Sequence, residues 1–536
     1  MRRCFHRKLL SKPTSQGLVK QGTMNLFLPL NLNKMETNKT IPNKLLVILL
    51  LLLAFFPIEK SIASSAAPYP VRVTQKDKTM ITVLLQGDEH LKWAKTMDNY
   101  TLVFNSMGIY EYGKIDASGD LVPSGVKAHD VSNRTQRELA FITTIAKNLT
   151  YNRSQVNIVQ QIIRNSTPNT TTAFPTTGNR KLICVLIGFT DLAFTKTQAE
   201  FQNLFNQVGY SADGAAGSVK DFFAENSYNQ LNLTVDVAGP YTASNTQAYY
   251  GANTAGQATD IRPRELVTEA VNLADADVNF ADYDNDGDGN VDGVYMIYAG
   301  HGEEVGAGTD AIWAHAWSIP TVTLDGKNIS RYSTSSELRD GSGSGLTRIG
   351  VICHEFGHVL GAPDYYDTDY GTGGQYNGNG HWDLNASGNY NNDSKSPAHS
   401  NPYTKIYIYN WATATTLSAQ GTVTLQKSTL NANNFYRYNT TTANEFFIME
   451  NRQQTGFDVG VPGHGLLIYH AHADLGSHLG PNDINATAPQ YFYPVCASAS
   501  TNPGSTPASY GSNDGDGTTY PGTSNKTSFT DRKSVV

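Results

Sequence analysis

Cysteine is scarce, with four in 536 residues, and Cys4, Cys184, Cys353 and Cys496 are scattered with no C-x-x-C spacing. That excludes a disulfide framework and a thiolate metal or redox site, and it leaves the thiols as small buried hydrophobes. Charge is thin as well. Charged residues make up 16%, with a formal net charge of -7, and no basic block stands out, so a field built for nucleic acid is absent and no nucleic-acid partner is expected. No apolar run reaches the ~20 residues a bilayer span requires. The longest, Leu45 to Pro57, follows Lys39 and Lys44 and precedes small residues, the pattern of a signal-peptide h-region with cleavage after Ala63 or Ala66. The mature chain is therefore expected to be extracellular with no stable membrane span. The stretch before that run is too long for a signal n-region, so Met35 is the expected start and residues 1–66 the leader.

What is present divides into three units. Residues 67–177 alternate strand-like pieces, such as Ile81 to Leu85 and Tyr100 to Phe104, with Gly/Asp/Asn turns. They end in an aperiodic Ser/Thr/Pro/Asn-rich run from Asn165 to Asn179, which reads as an exposed, protease-accessible linker. Residues 178–412 open on the continuous apolar run Leu182 to Ile187, expected of a buried strand. Next come an alternating strand through Leu231 to Val237, a helical pattern at Leu266 to Ala274 and a strand at Val294 to Ala299. Residues 413–536 read as a β-rich extension. The last residues, Asp531 to Val536, match one reading frame of a DNA-sequencing adapter, so a truncated C-terminus is expected.

The densest chemistry is His354-Glu355-Phe356-Gly357-His358-Val359-Leu360-Gly361-Ala362-Pro363-Asp364. On a helix His354 and His358 project from one face and converge on one zinc ion, and Glu355 reaches a metal-held water as general base. With 13 His and 47 acidic residues in the chain, chance supplies roughly 0.03 such H-E-x-x-H matches. Gly361 suits a left-handed helix end and Pro363 cannot continue the helix, so the turn brings Asp364 back towards the histidines. Asp367 is an alternative third carboxylate.

A second constellation is Asp284, Asp286, Asp288, Asn290 and Asp292, with Gly289 in the sixth position, oxygen donors at calcium-loop spacing. So many like charges repel without a cation. Tyr295 stands where an EF-hand has its bidentate Glu, so another residue such as Asp282 must close the cage. His301, Glu303, Glu304 and His315 follow a strand, and a structural role is favoured for them over a catalytic one. His381 reads as a surface histidine.

The pattern H-E-x-x-H-x-x-G-x-x-D resembles that of the metzincins, and with its surroundings the chain resembles the M6, immune inhibitor A-like, metallopeptidases. The likeness runs from about Pro68 to Thr530. It includes Pro68 to Val73, Gly217 to Tyr228, Trp382-Asp383-Leu384 and Met449 to Phe457. It implies an α+β, zincin/metzincin-like catalytic domain, with a mixed twisted sheet and an active-site helix, between a small pro-region and the β-rich extension. It also implies Zn2+ held by His354, His358 and Asp364, Glu355 as catalytic base, zymogen synthesis, and protein or peptide substrates, while the acidic loop by its own spacing argues for Ca2+ as a structural ion. The chain departs from the family after Leu384, where Asn385 replaces the usual Met-turn methionine. That departure motivates the rival reading, a secreted, catalytically silent, adhesin-like protein that keeps the fold.

Overall fold

Alternating apolar residues in the first unit fold into a meander, because short connections make consecutive strands antiparallel neighbours. In the computed structural model, which describes residues 64–157, 173–253, 260–371, 375–419, 421–499, 502, 504–512 and 515–529, six strands pair in chain order. They are β1 (Val71–Thr74), β2 (Met80–Gly87), β3 (Lys92–Lys95), β4 (Thr101–Phe104), β5 (Tyr110–Ile115) and β6 (Leu121–Lys127). Helix α1 (Gln136–Ile142) follows, opened by a reciprocal Thr135–Glu138 cap. The sheet does not close its core alone. Val71, Val83 and Leu102 pack with Val305, Trp313, Val351 and Tyr390 from far along the chain. The run Leu45 to Pro57, most of the linker and residues 530–536 lie outside the described residues.

The second unit contains β7 (Gly178–Gly188), α2 (Gln198–Asn206), α3 (Val219–Asn226), β8 (Leu231–Thr242), α4 (Pro263–Ala274), β9 (Val294–His301), β10 (His315–Leu324), β11 (Lys327–Leu338) and α5 (Ile349–Val359). Its five-stranded sheet runs β10-β11-β9-β7-β8, parallel except for β10 against β11. Both faces are covered, which is why Leu182 to Ile187 is apolar without alternation. Leu182, Cys184 and Leu186 meet Phe201, Phe223 and Phe356 of α2, α3 and α5. Ile183, Val185 and Ile187 meet Leu266, Val267 and Val271 of α4 on the other face. Edge strand β8 keeps the alternation that one open face allows. The mixture of helix and sheet expected from the sequence is present.

A second five-stranded sheet follows, β12 (Ala414–Thr416), β13 (Phe435–Asn439), β14 (Phe446–Arg452), β15 (Gly465–Ala471) and β16 (Phe492–Pro494), paired in chain order. Packing does not break at residue 413. Tyr365 and Trp382 share one core with Ile448, Leu467, Tyr469 and Phe492. Beside it Arg452, fully buried, donates to Asp458 at 2.7 Å and Glu450 at 3.2 Å, and Asp458 also accepts the His399 N–H at 2.9 Å. Among the described residues no helix is long and apolar enough to cross a membrane.

Candidate active site

Helix α5 is buried along its whole length. It presses so closely on its neighbour that a Cβ on Gly350 would lie 2.0 Å from the Asn389 carbonyl oxygen, so only glycine fits there. At its end Gly361 takes φ +107°, a conformation that side chains disfavour, and the chain turns back through Pro363 to Asp364.

Three side chains meet as a result. The Nε2 atoms of His354 and His358 lie 3.3 and 3.4 Å from Asp364 Oδ1. His354 Nδ1–H donates to the Leu384 carbonyl and His358 Nδ1–H to the Ala362 carbonyl, both at 2.8 Å. With the proton on Nδ1, each Nε2 presents its lone pair to the shared space. Burial opposes a charge on Asp364, but His358 and His354 outweigh it and hold the carboxyl below its usual range. Asp364 is also oriented from the extension, since its N–H donates to Asn482 Oδ1 at 2.8 Å and its Oδ2 accepts from Asn482 Nδ2 at 2.9 Å. Oδ1 is thereby turned to the histidines.

The donor set suits a divalent cation. His354 Nε2, His358 Nε2, Asp364 Oδ1 and Glu355 Oε2 are all buried without a hydrogen-bond partner among the described residues. Native interiors rarely leave such atoms unpaired, and two imidazole lone pairs beside a carboxylate form a known zinc-binding set. Asp367 does not join them. Its carboxylate accepts the N–H groups of Asp369, Tyr370 and Tyr376, which organises the following loop. Of the two carboxylates left open by the sequence, the structure brings Asp364 to the histidines.

Burial pushes Glu355 well above the usual carboxylate range, against the nearby His354 and a hydrogen bond to its Oε1. That bond comes from the main-chain N–H of Ser64 at 2.8 Å. Ser64 O in turn accepts from Trp313 Nε1 at 2.9 Å, Ser65 O from the Tyr390 hydroxyl at 2.8 Å, and the Ala67 N–H donates to Glu304 O at 3.1 Å. The short stretch Ser64 to Ala67, just ahead of the first sheet, thus lies across the glutamate.

Asn385 sits beneath both histidines. Its Nδ2 is 3.3 Å from His354 O and 3.4 Å from His358 Nδ1, and its Oδ1 has no partner. The polar substitution is therefore only partly satisfied, as Met to Asn at this position implies.

The other histidines and acids are elsewhere engaged. His301 bonds the Arg339 and Asp340 carbonyls, and His315 bonds Trp313 O and the Tyr332 hydroxyl. Glu303 pairs with Lys92, Glu304 accepts the Ala314 N–H, and His381 bonds Asn391.

In the acidic loop Asp284, Asp286 and Asp288 bring carboxylate oxygens within 4.8 Å of one another. Two residues of the expected cage behave differently. Asp292 turns its Oδ2 to the N–H and Nδ2 of Asn285, and Asn290 donates to Asp288. Asp282 does not close the cage, because it accepts from Asn279 and faces Lys181. Lys327, 2.6 Å from Asp284 Oδ2, supplies part of the positive charge that the sequence assigned wholly to a cation.

Sequence reasoning passed over Ser64, Lys92, Trp313 and Asn482. Each acts through a contact distant in sequence, and the one local signal was the weak periodicity around them.

Residues 181–412 match the family described as immune inhibitor A peptidase M6, catalytic domain. The chain is 31% identical over 252 residues to the pre-pro-metalloprotease PrtV of Vibrio cholerae serotype O1, which covers 39% of this chain and 27% of that protein. It is 32% identical over 183 residues to immune inhibitor A of Bacillus thuringiensis subsp. alesti, covering 28% of this chain and 26% of that protein. The matched part thus spans about a quarter of the length of these relatives.

Proposed function

Residues 181–412 belong to the M6, immune inhibitor A-like, metallopeptidase family, and from that premise we propose that the protein is a secreted zinc-dependent endopeptidase made as a latent precursor. The single observation that carries this reading is the meeting of three buried atoms, His354 Nε2, His358 Nε2 and Asp364 Oδ1, next to Glu355, whose buried Oε2 has no hydrogen-bond partner among the described residues.

His354, His358 and Asp364 would hold the ion, which when bound supplies Lewis acidity towards a peptide carbonyl and acidifies water. Glu355 Oε2 accepts a proton from the attacking water and returns it to the leaving amine, a role suited to a carboxyl whose burial has raised its proton affinity. Asn482 fixes Asp364, and the Leu384 and Ala362 carbonyls fix the imidazole tautomers. The five-stranded sheet backed by α5 is the zincin-like catalytic domain, residues 178–412. Substrates are proteins or peptides laid across the cleft.

Residues 67–177 are the pro-region, and the segment from Ser64 to Ala67 occludes the cleft in the precursor. Asp284, Asp286 and Asp288 form a structural calcium site. The silent, adhesin-like alternative rested on Asn385, which removes no ligand. Metal analysis paired with casein hydrolysis after processing tests the proposal. Bound zinc with no cleavage would favour the silent protein, and absence of zinc would defeat both.

A further inference from the structure

The N-terminal sheet also places a cation inside the catalytic domain. Lys92, on β3, is 4% exposed, and its ammonium lies 2.7 Å from Asp260 Oδ1 and 3.0 Å from Asn253 Oδ1 and pairs with Glu303 Oε2. It also stands 5.2 Å over the Trp313 ring. Two carboxylates, an amide oxygen and an indole face form a full set of ammonium contacts. Burial works against the Lys92 charge, but Asp260 and Glu303 outweigh it and hold the ammonium above its ordinary value.

This cradle borders the cleft through one residue. The Trp313 N–H donates to Asp260 Oδ2 at 2.8 Å, its ring face covers Lys92, and its Nε1 holds Ser64 O at 2.9 Å. A chain lying where Ser64 lies, on Glu355, is therefore one indole away from the acidic pair. The same indole touches both the segment over Glu355 and the Lys92 ammonium. Removal of the pro-region withdraws the Lys92 ammonium from Asp260 and Glu303, so a substrate cation can take its place on the same carboxylates.

We propose that the Asp260–Glu303–Asn253–Trp313 cradle is a specificity pocket of the processed protein that takes a lysine or arginine side chain of the substrate, and that Lys92 fills it in the precursor. The proposal rests on the peptidase reading.

The test uses peptides that carry lysine, arginine, norleucine or glutamate in turn at single positions around one scissile bond. They are offered to the full chain after processing, and to its Glu355→Ala form for binding alone. At one position lysine and arginine are expected to be cut, and bound by Glu355→Ala, at least about tenfold better than norleucine, which keeps the length and loses the charge. Glu303→Gln is expected to bring the lysine-to-norleucine ratio towards one. The wild-type comparison decides the matter even where that variant does not fold. Equal handling of lysine and norleucine at every position, in cleavage and binding, overturns the pocket. Selective binding of lysine peptides without cleavage by wild type instead overturns the peptidase reading and leaves the pocket standing.

Discussion

The main-chain N–H of Ser64 donates to Glu355 Oε1 at 2.8 Å, across 291 residues of sequence. A chain segment in that position blocks both the base and the space a substrate needs. Residues 67–163 contain no cysteine, so a thiolate from that segment cannot block the site, and an acidic side chain or simple occlusion is left to account for the proposed latency. A chain lacking Ser64 to Ala67 is therefore expected to cleave casein without a lag, whereas the full precursor gains activity only as the linker is cut. Equal lags would remove the segment from latency. Occlusion by Ser64 requires leader cleavage after Ala63 and not after Ala66, which N-terminal sequencing of the exported chain reads directly.

Glu355 adjoins His354, and its Oε2 is buried without a hydrogen-bond partner among the described residues, which suits the proposed role of proton carrier. Glu355→Ala is expected to abolish proteolysis while zinc stays bound, because His354, His358 and Asp364 remain. Metal content measured alongside activity checks this. Loss of zinc would move Glu355 into the ligand set, and undiminished cleavage would sink the mechanism.

Asn482 holds Asp364 through two hydrogen bonds although it lies beyond the matched catalytic domain. Partners that orient a metal ligand typically contribute about 10–100-fold to metal affinity. Asn482→Ala is expected to weaken zinc binding by that order, read by competition with a chelator. Unchanged affinity would show that the turn at Gly361 orients Asp364 unaided.

The parts of this protein legible in its sequence are those set by local pattern. Helical spacing placed His354 and His358 on one face, Gly361 and Pro363 announced the return to Asp364, and the unbroken run Leu182 to Ile187 announced a strand covered on both faces. Composition and period could not show which distant residues complete a site. Nothing in the local pattern marks Lys92, yet Asn253, Asp260 and Glu303 surround its ammonium. The boundary at residue 413 follows a change in pattern, while the packing of Tyr365 and Trp382 against β14 and β15 ignores it. Position in the acidic loop likewise named five donors, but Asn285 competes for Asp292 and Lys327 for Asp284.

Calcium should still matter, because Asp284, Asp286 and Asp288 bring carboxylate oxygens within 4.8 Å of one another, where like charges repel. A ligand bound by the folded state alone stabilises it by mass action, so melting with calcium is expected to exceed melting with a calcium-selective chelator. Identical melting temperatures would remove the ion from the loop.

Asp292 gives the same loop a pH signature. Burial, with Asp286 and Asp284 adding to it and Asn285 opposing, raises its carboxyl from 3.8 to about 6. A raised folded-state value means that the folded protein holds this proton more tightly than the unfolded chain does. The associated stability is complete below 3.8 and is lost as pH rises through about 6. Asparagine cannot ionise, and its side-chain oxygen can still accept the Asn285 N–H and Nδ2, which reach Asp292 Oδ2 at 2.7 and 2.8 Å. In chelator, Asp292→Asn is therefore expected to melt higher than wild type at neutral pH, by roughly 2–4 °C, and to match it near pH ~4. Calcium should narrow the gap at neutral pH, because a nearby cation favours the ionised carboxylate. A difference of the same size at both pH values would show that the substitution acts through packing and that Asp292 is not under strain from its charge.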